Sequence, residues 1–262
     1  MKKVKALVLR AAGINCDLET EYAFELAGAE AERVHINRII EKPDMLDDYH
    51  VMVFPGGFSY GDDVAAGKIL ANQLTGHLSE RVRGFIEAGK LVLGICNGFQ
   101  VLVKSGILGK VDGSEEVQAV TITDNDSGKF EDRWVYLEPG SEKCVFIEPG
   151  RRIYLPIAHG EGKVVFDSGE SLDKFKAGGR VAFRYVDENG QLGGFPVNPN
   201  GSTDSIAGLC DSTGRVLGLM PHPERFVRHT QHPHWTRLGD ESKAEGRMIF
   251  ENAVTYVRAN LL

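Results

Sequence analysis

The 262-residue chain is poor in cysteine, has no long apolar run and has no cluster of basic residues. Each scarcity removes a class of protein. Its four cysteines, at 16, 96, 144 and 210, include no C-x-x-C pair and form no dense framework. Such usage fits a reducing compartment where thiols stay free, so the cytoplasm is the expected location. No segment approaches the roughly 18 consecutive apolar residues that a membrane span requires. Lys and Arg number 30 against 37 Asp and Glu, a formal net charge of -7, and no basic run offers a track for a phosphate backbone. Neither nucleic acid nor a membrane is an expected partner. A Walker loop, a G-x-G-x-x-G turn, linkers, internal repeats and low-complexity tracts are also missing.

What remains is ordinary globular composition, 42% hydrophobic and 26% charged, read as one domain over 1–262. The opening MKKVKALVLRAAG has lysines ahead of an apolar stretch, as a signal peptide does. However, Ala6 to Leu9 is too short for an h-region, and Lys5 and Arg10 break the run. It reads as a buried first strand, Lys3 to Leu9. Asp17 is placed to cap a helix through Leu26, and Arg33 to Ile36 and Val51 to Phe54 read as strands. Helical patterns cover Val64 to Leu74 and Ser79 to Ala88, with Gly89 as a stop, before a buried strand at Leu91 to Ile95. This alternation predicts an α/β fold with a doubly wound, mostly parallel sheet. After Gly113 the pattern becomes strands without helices between them, at Val117 to Thr123, Arg133 to Leu137, Ile153 to Ile157, Val181 to Val186, Ile206 to Leu209 and Val216 to Met220. Those predict an antiparallel extension of the sheet, or hairpins laid against it, closed by a terminal helix over Glu245 to Leu262.

The segment LVLGICNGFQ ends a strand in Gly94-Ile95-Cys96-Asn97-Gly98, the form of a nucleophile elbow. The nucleophile must sit on a tight strand-to-helix turn, and the positions two residues either side must lack a Cβ for it to close. Cys96 would then lie at a helix N-terminus, whose unpaired N–H groups and dipole favour an anion. The chemistry needs such help, because a free thiol is only roughly 3% thiolate at pH 7. On its own the segment favours a small buried thiol beside a tight turn, since free cysteines are among the most buried residue types.

A second constellation shifts the balance. Gly218-Leu219-Met220-Pro221-His222-Pro223-Glu224 places a histidine and a carboxylate two residues apart at the end of an apolar strand, where alternate side chains share a face. A catalytic thiol needs such a base, and the base needs an acid to fix its tautomer. The third element, Pro55-Gly56-Gly57-Phe58-Ser59-Tyr60-Gly61-Asp62-Asp63, also follows a strand, where doubly wound sheets bind ligands. Backbone N–H groups of Gly57 and Asn97 are the candidate oxyanion donors.

In this order the three elements resemble the class I, or triad, glutamine amidotransferases. The resemblance narrows on Gly13-Ile14-Asn15-Cys16-Asp17, on Asn125 to Trp134, on Pro156-Ile157-Ala158-His159-Gly160-Glu161-Gly162 and on Val197-Asn198-Pro199-Asn200-Gly201-Ser202. Together these are similar to the glutaminase subunits of phosphoribosylformylglycinamidine synthase, nearly end to end. The resemblance implies glutamine hydrolysis through a glutamyl thioester, with Cys96 as nucleophile, His222 as base and then acid, and Glu224 as orienting carboxylate. It further implies substrate contacts at Gly56, Phe58 and Gln100, and at Asn125, Ser127 and Phe130 of an N-x-S-x-x-F stretch. No cofactor or metal is implied on this chain. ATP and Mg are expected on a larger synthase subunit that also binds formylglycinamide ribonucleotide (FGAR), with a small bridging subunit as a further partner.

Other features read as structural. His229, His232 and His234 fit no standard zinc spacing and read as a surface loop. Asp124 opens a calcium-loop look-alike whose sixth and twelfth positions are Lys129 and Val135. His159 and Glu161 read as docking or structural residues before a second acid–base pair, and Cys16, Cys144 and Cys210 as structural thiols. Another α/β cysteine hydrolase, or a non-catalytic subunit of an amidotransferase assembly, are the competing functions.

Overall fold

The computed structural model describes residues 3–111, 117–238 and 244–262; Gly113, where the sequence pattern changes, lies outside them. The first half alternates as expected: β1 (Lys5–Arg10), α1 (Asp17–Leu26), β2 (Glu30–His35), α2 (Ile36–Glu41), β3 (Val51–Phe54), α3 (Lys68–His77), α4 (Ser79–Glu87), β4 (Leu91–Ile95) and α5 (Asn97–Lys104). Then come β5 (Val120–Asp124), β6 (Glu131–Pro139), β7 (Ile153–His159), β8 (Glu161–Phe166), α6 (Gly169–Ala177), β9 (Val181–Val186), β10 (Ile206–Cys210), β11 (Val216–Leu219) and α7 (Arg247–Asn260). Among these described elements, no helix is long and apolar enough to cross a membrane.

Nine strands form one sheet in the order β2-β1-β3-β4-β11-β10-β9-β6-β7. The five from β2 to β11 run parallel, and the rest join antiparallel. Every residue of β3, β4 and β11 is buried. Their uninterrupted apolar runs, covered on both faces, are what a central parallel sheet demands. β5 and β8 form a separate antiparallel pair, which answers the choice between an extension and added hairpins: both are present. On one flank α1 and α7 meet edge to face through Phe24 and Phe250, with ring centroids 5.0 Å apart.

Four local expectations are corrected. Asp17 begins α1 rather than capping it; Cys16 is the cap residue. Ile36 starts α2 instead of ending a strand, because the His35 ring nitrogen accepts the Asn37 N–H and caps a helix there. The helix expected from Val64 begins at Lys68, since Gly67 takes a left-handed φ of 73° and donates its N–H to Asp62. α6, unforeseen between strands, starts where Ser168 Oγ accepts the Ser171 N–H.

The elbow glycines have steric reasons. A Cβ on Gly98 would lie 1.8 Å from the Phe54 carbonyl oxygen, and one on Gly94 would lie 2.8 Å from the Gly98 carbonyl oxygen. Strand β3, strand β4 and helix α5 thus meet closer than any side chain permits. Gly98→Ala is expected to lower the unfolding free energy by about 3 kcal/mol or more, the upper range for overpacking. A urea midpoint equal to that of the unmodified chain would show that this contact relaxes freely.

Candidate active site

Three loops reach one end of the sheet because three adjacent parallel strands deliver them in register. Phe54 of β3 pairs with Gly94 of β4, and Gly94 and Ile95 pair with Gly218 and Leu219 of β11. The next residues along each strand therefore emerge together: the Gly56-Gly57 loop, Cys96, and Pro221-His222-Pro223-Glu224. The Cys96 N–H donates to the Leu219 carbonyl at 2.8 Å, tying the elbow to the strand that carries the histidine.

Cys96 sits at φ 50° and ψ -106°, outside the regions open to an ordinary side chain. Such strain costs on the order of 1–3 kcal/mol and persists only where surrounding structure enforces it. Here the close approach of β3, β4 and α5 does so, placing the sulfur at the N-terminus of α5. It is 5% exposed, at the floor of a cleft.

His222 and Glu224 are both buried, and His222 Nδ1 lies 2.6 Å from Glu224 Oε1. A carboxylate only accepts, so Nδ1 donates to Glu224 and Nε2 is the ring nitrogen left to exchange a proton with the thiol. Among the described residues Nε2 has no hydrogen-bond partner. Burial works against a charged imidazole, but the Glu224 carboxylate and the adjacent Cys96 sulfur outweigh it and hold His222 well above the usual imidazole range. Short contacts fix the surroundings. A Cβ on Gly56 would come within 2.8 Å of His222 Cε1, so the loop passes over the imidazole with no room for a side chain.

Of the candidate oxyanion donors, Gly57 lines the same cleft and Asn97 directly follows the lining residue Cys96. Gly57, at φ 140°, bridges Ile14 in an antiparallel pair in which Phe58 N–H, and not Gly57 N–H, is bonded. Asn97 N–H belongs to the first turn of α5, where no intrahelical acceptor exists. The Asn97 side chain holds the two loops in register: Oδ1 accepts the Ser59 N–H at 3.2 Å, while Nδ2 donates to Asp62 at 3.1 Å and to Gln100 at 3.0 Å. Gln100 in turn donates to the Glu161 carbonyl.

The cleft has a volume of about 250 Å³, and Gly57, Phe58, Cys96, Gln100 and Phe130 line it. Phe58 and Phe130 are half exposed, with ring centroids 6.5 Å apart. Gly56 and Asn97 adjoin the lining residues Gly57 and Cys96 in the chain, and the buried His222 and Glu224 do not line it. Asn125 is placed otherwise: its amide donates to the carbonyls of Lys129 and His159 and accepts from Gly162 N–H and His159 Nδ1. It therefore clasps the loop instead of presenting a free amide. Ser127 bonds Glu131 and borders a neighbouring hollow beside Phe195.

The lining also includes residues not expected to meet substrate. Asp62, Ala158, His159 and Glu161 all border the cleft. Asp62 stood inside the glycine loop motif, which was its only signal. His159 is pushed down to about 3 by burial and by the charge on His222, so it is neutral. With Nδ1 on Asn125, it serves the structural role read for it, as does Glu161 in pairing with Lys104. His232 of the histidine loop packs on Trp134 and Phe226. Cys16 was wholly unanticipated here. Its sulfur, a His222 ring nitrogen and a Glu224 oxygen lie within 4.8 Å of one another, close enough to share a metal ion. Arg225, however, already donates to that sulfur at 3.1 Å, and its charge opposes a cation there.

A larger cavity of about 490 Å³ opens beside the far end of α5, lined by Leu74, Val82, Ile86 and Ile107. None of the candidate catalytic groups reaches it, so chemistry and not volume marks the site.

The model of the CobB/CobQ-like glutamine amidotransferase domain matches residues 3–257. A phosphoribosylformylglycinamidine synthase subunit PurQ from Dehalococcoides mccartyi is 49% identical, with 98% of this chain and 99% of that protein covered. Its counterpart from Methanococcus maripaludis is 40% identical, with 96% and 97% covered. A chain of the PurLQS structure from Thermotoga maritima superposes with a TM-score of 0.74 at 32% identity, covering 98% of this chain and 100% of that one. The chain thus belongs to the PurQ family of phosphoribosylformylglycinamidine synthase subunits, within the CobB/CobQ-like glutamine amidotransferases.

Proposed function

We propose that this chain hydrolyses glutamine and supplies the ammonia to a synthase that converts FGAR to phosphoribosylformylglycinamidine (FGAM) with ATP, in purine biosynthesis. The observation that carries the reading is the delivery of Cys96, at a strained helix-capping turn, beside the buried His222–Glu224 pair by neighbouring strands β4 and β11. Residues 1–262 act as one glutaminase unit, since the sheet draws strands from both halves of the chain.

Cys96 Sγ attacks the side-chain carboxamide carbon of glutamine while the thiol proton resides on His222 Nε2. Negative charge gathers on the carboxamide oxygen, and the backbone N–H groups of Gly57 and Asn97 receive it. His222 then donates its proton to the departing nitrogen, the C–N bond breaks and ammonia leaves a glutamyl thioester. Water, deprotonated by the now neutral His222, attacks the thioester carbon; the C–S bond breaks and glutamate is released. Glu224 holds the ring in the required tautomer and stabilises its cation. Gln100, Phe58, Gly56 and Phe130 hold the substrate, with Asn125 and Ser127 shaping the loop that meets its amino-acid end.

A larger subunit carrying ATP, Mg and FGAR, joined by a small bridging subunit, consumes the ammonia. Ammonia released without an acceptor is lost, so hydrolysis by the isolated chain is expected to be slow and strongly accelerated by the loaded synthase. Measuring glutamate release with and without the synthase subunit, ATP and FGAR tests this. Equal rates in both conditions refute the coupling, and no release in either refutes the function.

A further inference from the structure

Cys16 lies 206 residues before His222 in the chain, counting 222 minus 16, yet its thiol is fully buried against the candidate base. Three independent contacts meet there. Its backbone N–H donates to the Gly56 carbonyl at 3.2 Å, so it anchors the loop that presents Gly57. Its sulfur accepts from Arg225 Nη2 at 3.1 Å and donates to Asn15 Oδ1 at 3.2 Å. Arg225, the residue after Glu224, is held in turn by Glu19 of α1 at 3.1 Å. The Gly56 Cα leaves no more space: a Cβ there would lie 3.1 Å from the Cys16 sulfur and 2.8 Å from His222 Cε1.

We propose that Cys16 is a positioning residue for the glutaminase, a rear clamp that locks the Gly56-Gly57 loop, the His222–Glu224 pair and Arg225 into one arrangement. This rests on the proposed function. Burial keeps the Cys16 thiol neutral by pushing it up, so it has both a proton to give and lone pairs to accept. Arg225 stays charged, with the Glu224 and Glu19 carboxylates opposing the burial that works against its cation. The thiol thus stands between the Arg225 cation, 3.1 Å away, and the His222–Glu224 pair, whose polar atoms lie within 4.8 Å of the sulfur. Removing the sulfur frees Arg225 and the ring to shift, and a misplacement of about 1 Å in a catalytic group typically costs 10²-fold.

The test is glutamine hydrolysis by the full chain, alone and with the synthase subunit, as a function of pH. Cys16→Ala is expected to reduce kcat by about 10- to 100-fold with KM within about twofold. Its alkaline limb should also move to lower pH, because a ring free to shift away from Glu224 loses part of the carboxylate's hold on its proton. Cys16→Ser retains a donor and an acceptor and is expected to recover most of the rate. An alanine variant with the parent kcat and the parent pH profile, even with a lowered melting temperature, overturns the clamp. Should Cys16→Ala not fold, Arg225→Gln, which removes the other half of the clamp, is expected to lower kcat by about 10-fold or more with KM within about twofold, and a parent kcat there overturns the clamp equally. Failure of the parent chain to hydrolyse glutamine would instead overturn the proposed function.

Discussion

Cys96→Ala removes glutamine-dependent synthesis, by about 10⁴-fold or more, and leaves synthesis from added ammonia intact. The size follows from the loss of the only group able to form the thioester; deleting a nucleophile of this kind costs up to about 10⁶ in kcat. Cys16, the nearest alternative thiol, is engaged by Arg225 and Asn15 and sealed from solvent, so it offers no rescue. The substitution keeps the Cβ, and the turn's geometry is imposed by Gly94 and Gly98 and not by the sulfur. The variant is therefore expected to unfold at the same temperature as the parent, which separates lost chemistry from lost structure. A glutamine-mimicking diazoketone should label the parent chain at Cys96 and leave Cys96→Ala unlabelled. Labelling of the alanine variant at another cysteine, or retained glutamine-dependent synthesis, would sink the assignment.

The central sheet was legible because burial on both faces writes continuous apolar runs into Val51–Phe54 and Leu91–Ile95, and these strands appear with the expected bounds. α6 was not, since GESLDKFKA buries only Ser171 and Phe175 and carries little periodic apolar signal. The elbow and the late Pro-His-Pro-Glu were legible as local motifs, with glycine and proline fixing the backbone around them. Their adjacency was not: it depends on β11 inserting next to β4 after a long antiparallel excursion. For the same reason Cys16 and Arg225, 209 positions apart, gave no sign of touching. The amide of Asn125 illustrates the converse, a residue in a recognisable motif whose bonds all turn inward.

Glu224→Gln tests the electrostatics of the site more sharply than it tests its shape. The two side chains are nearly isosteric, and the buried position admits either. Two losses follow. An amide nitrogen facing Nδ1 donates to it and drives the ring proton to Nε2, the tautomer that cannot accept from Cys96. The negative charge that sustains the His222 cation also disappears, leaving burial, which lowers the proton affinity of the ring, less opposed. In the parent chain the proton on His222 is held well above the usual imidazole range, so activity persists as pH rises through 6.5, the ordinary imidazole value, and fails only at the raised value. In Glu224→Gln the alkaline limb moves down, and activity is lost as pH rises through a lower value. The variant is expected to lose about 10²- to 10⁴-fold in kcat/KM at neutral pH, by analogy with asparagine replacing the orienting aspartate of serine hydrolases. Because the limb shifts, the loss must be larger at pH 8 than at pH 6. A loss of equal size at both would mean that Glu224 acts through orientation alone and that its charge does not hold the proton on His222.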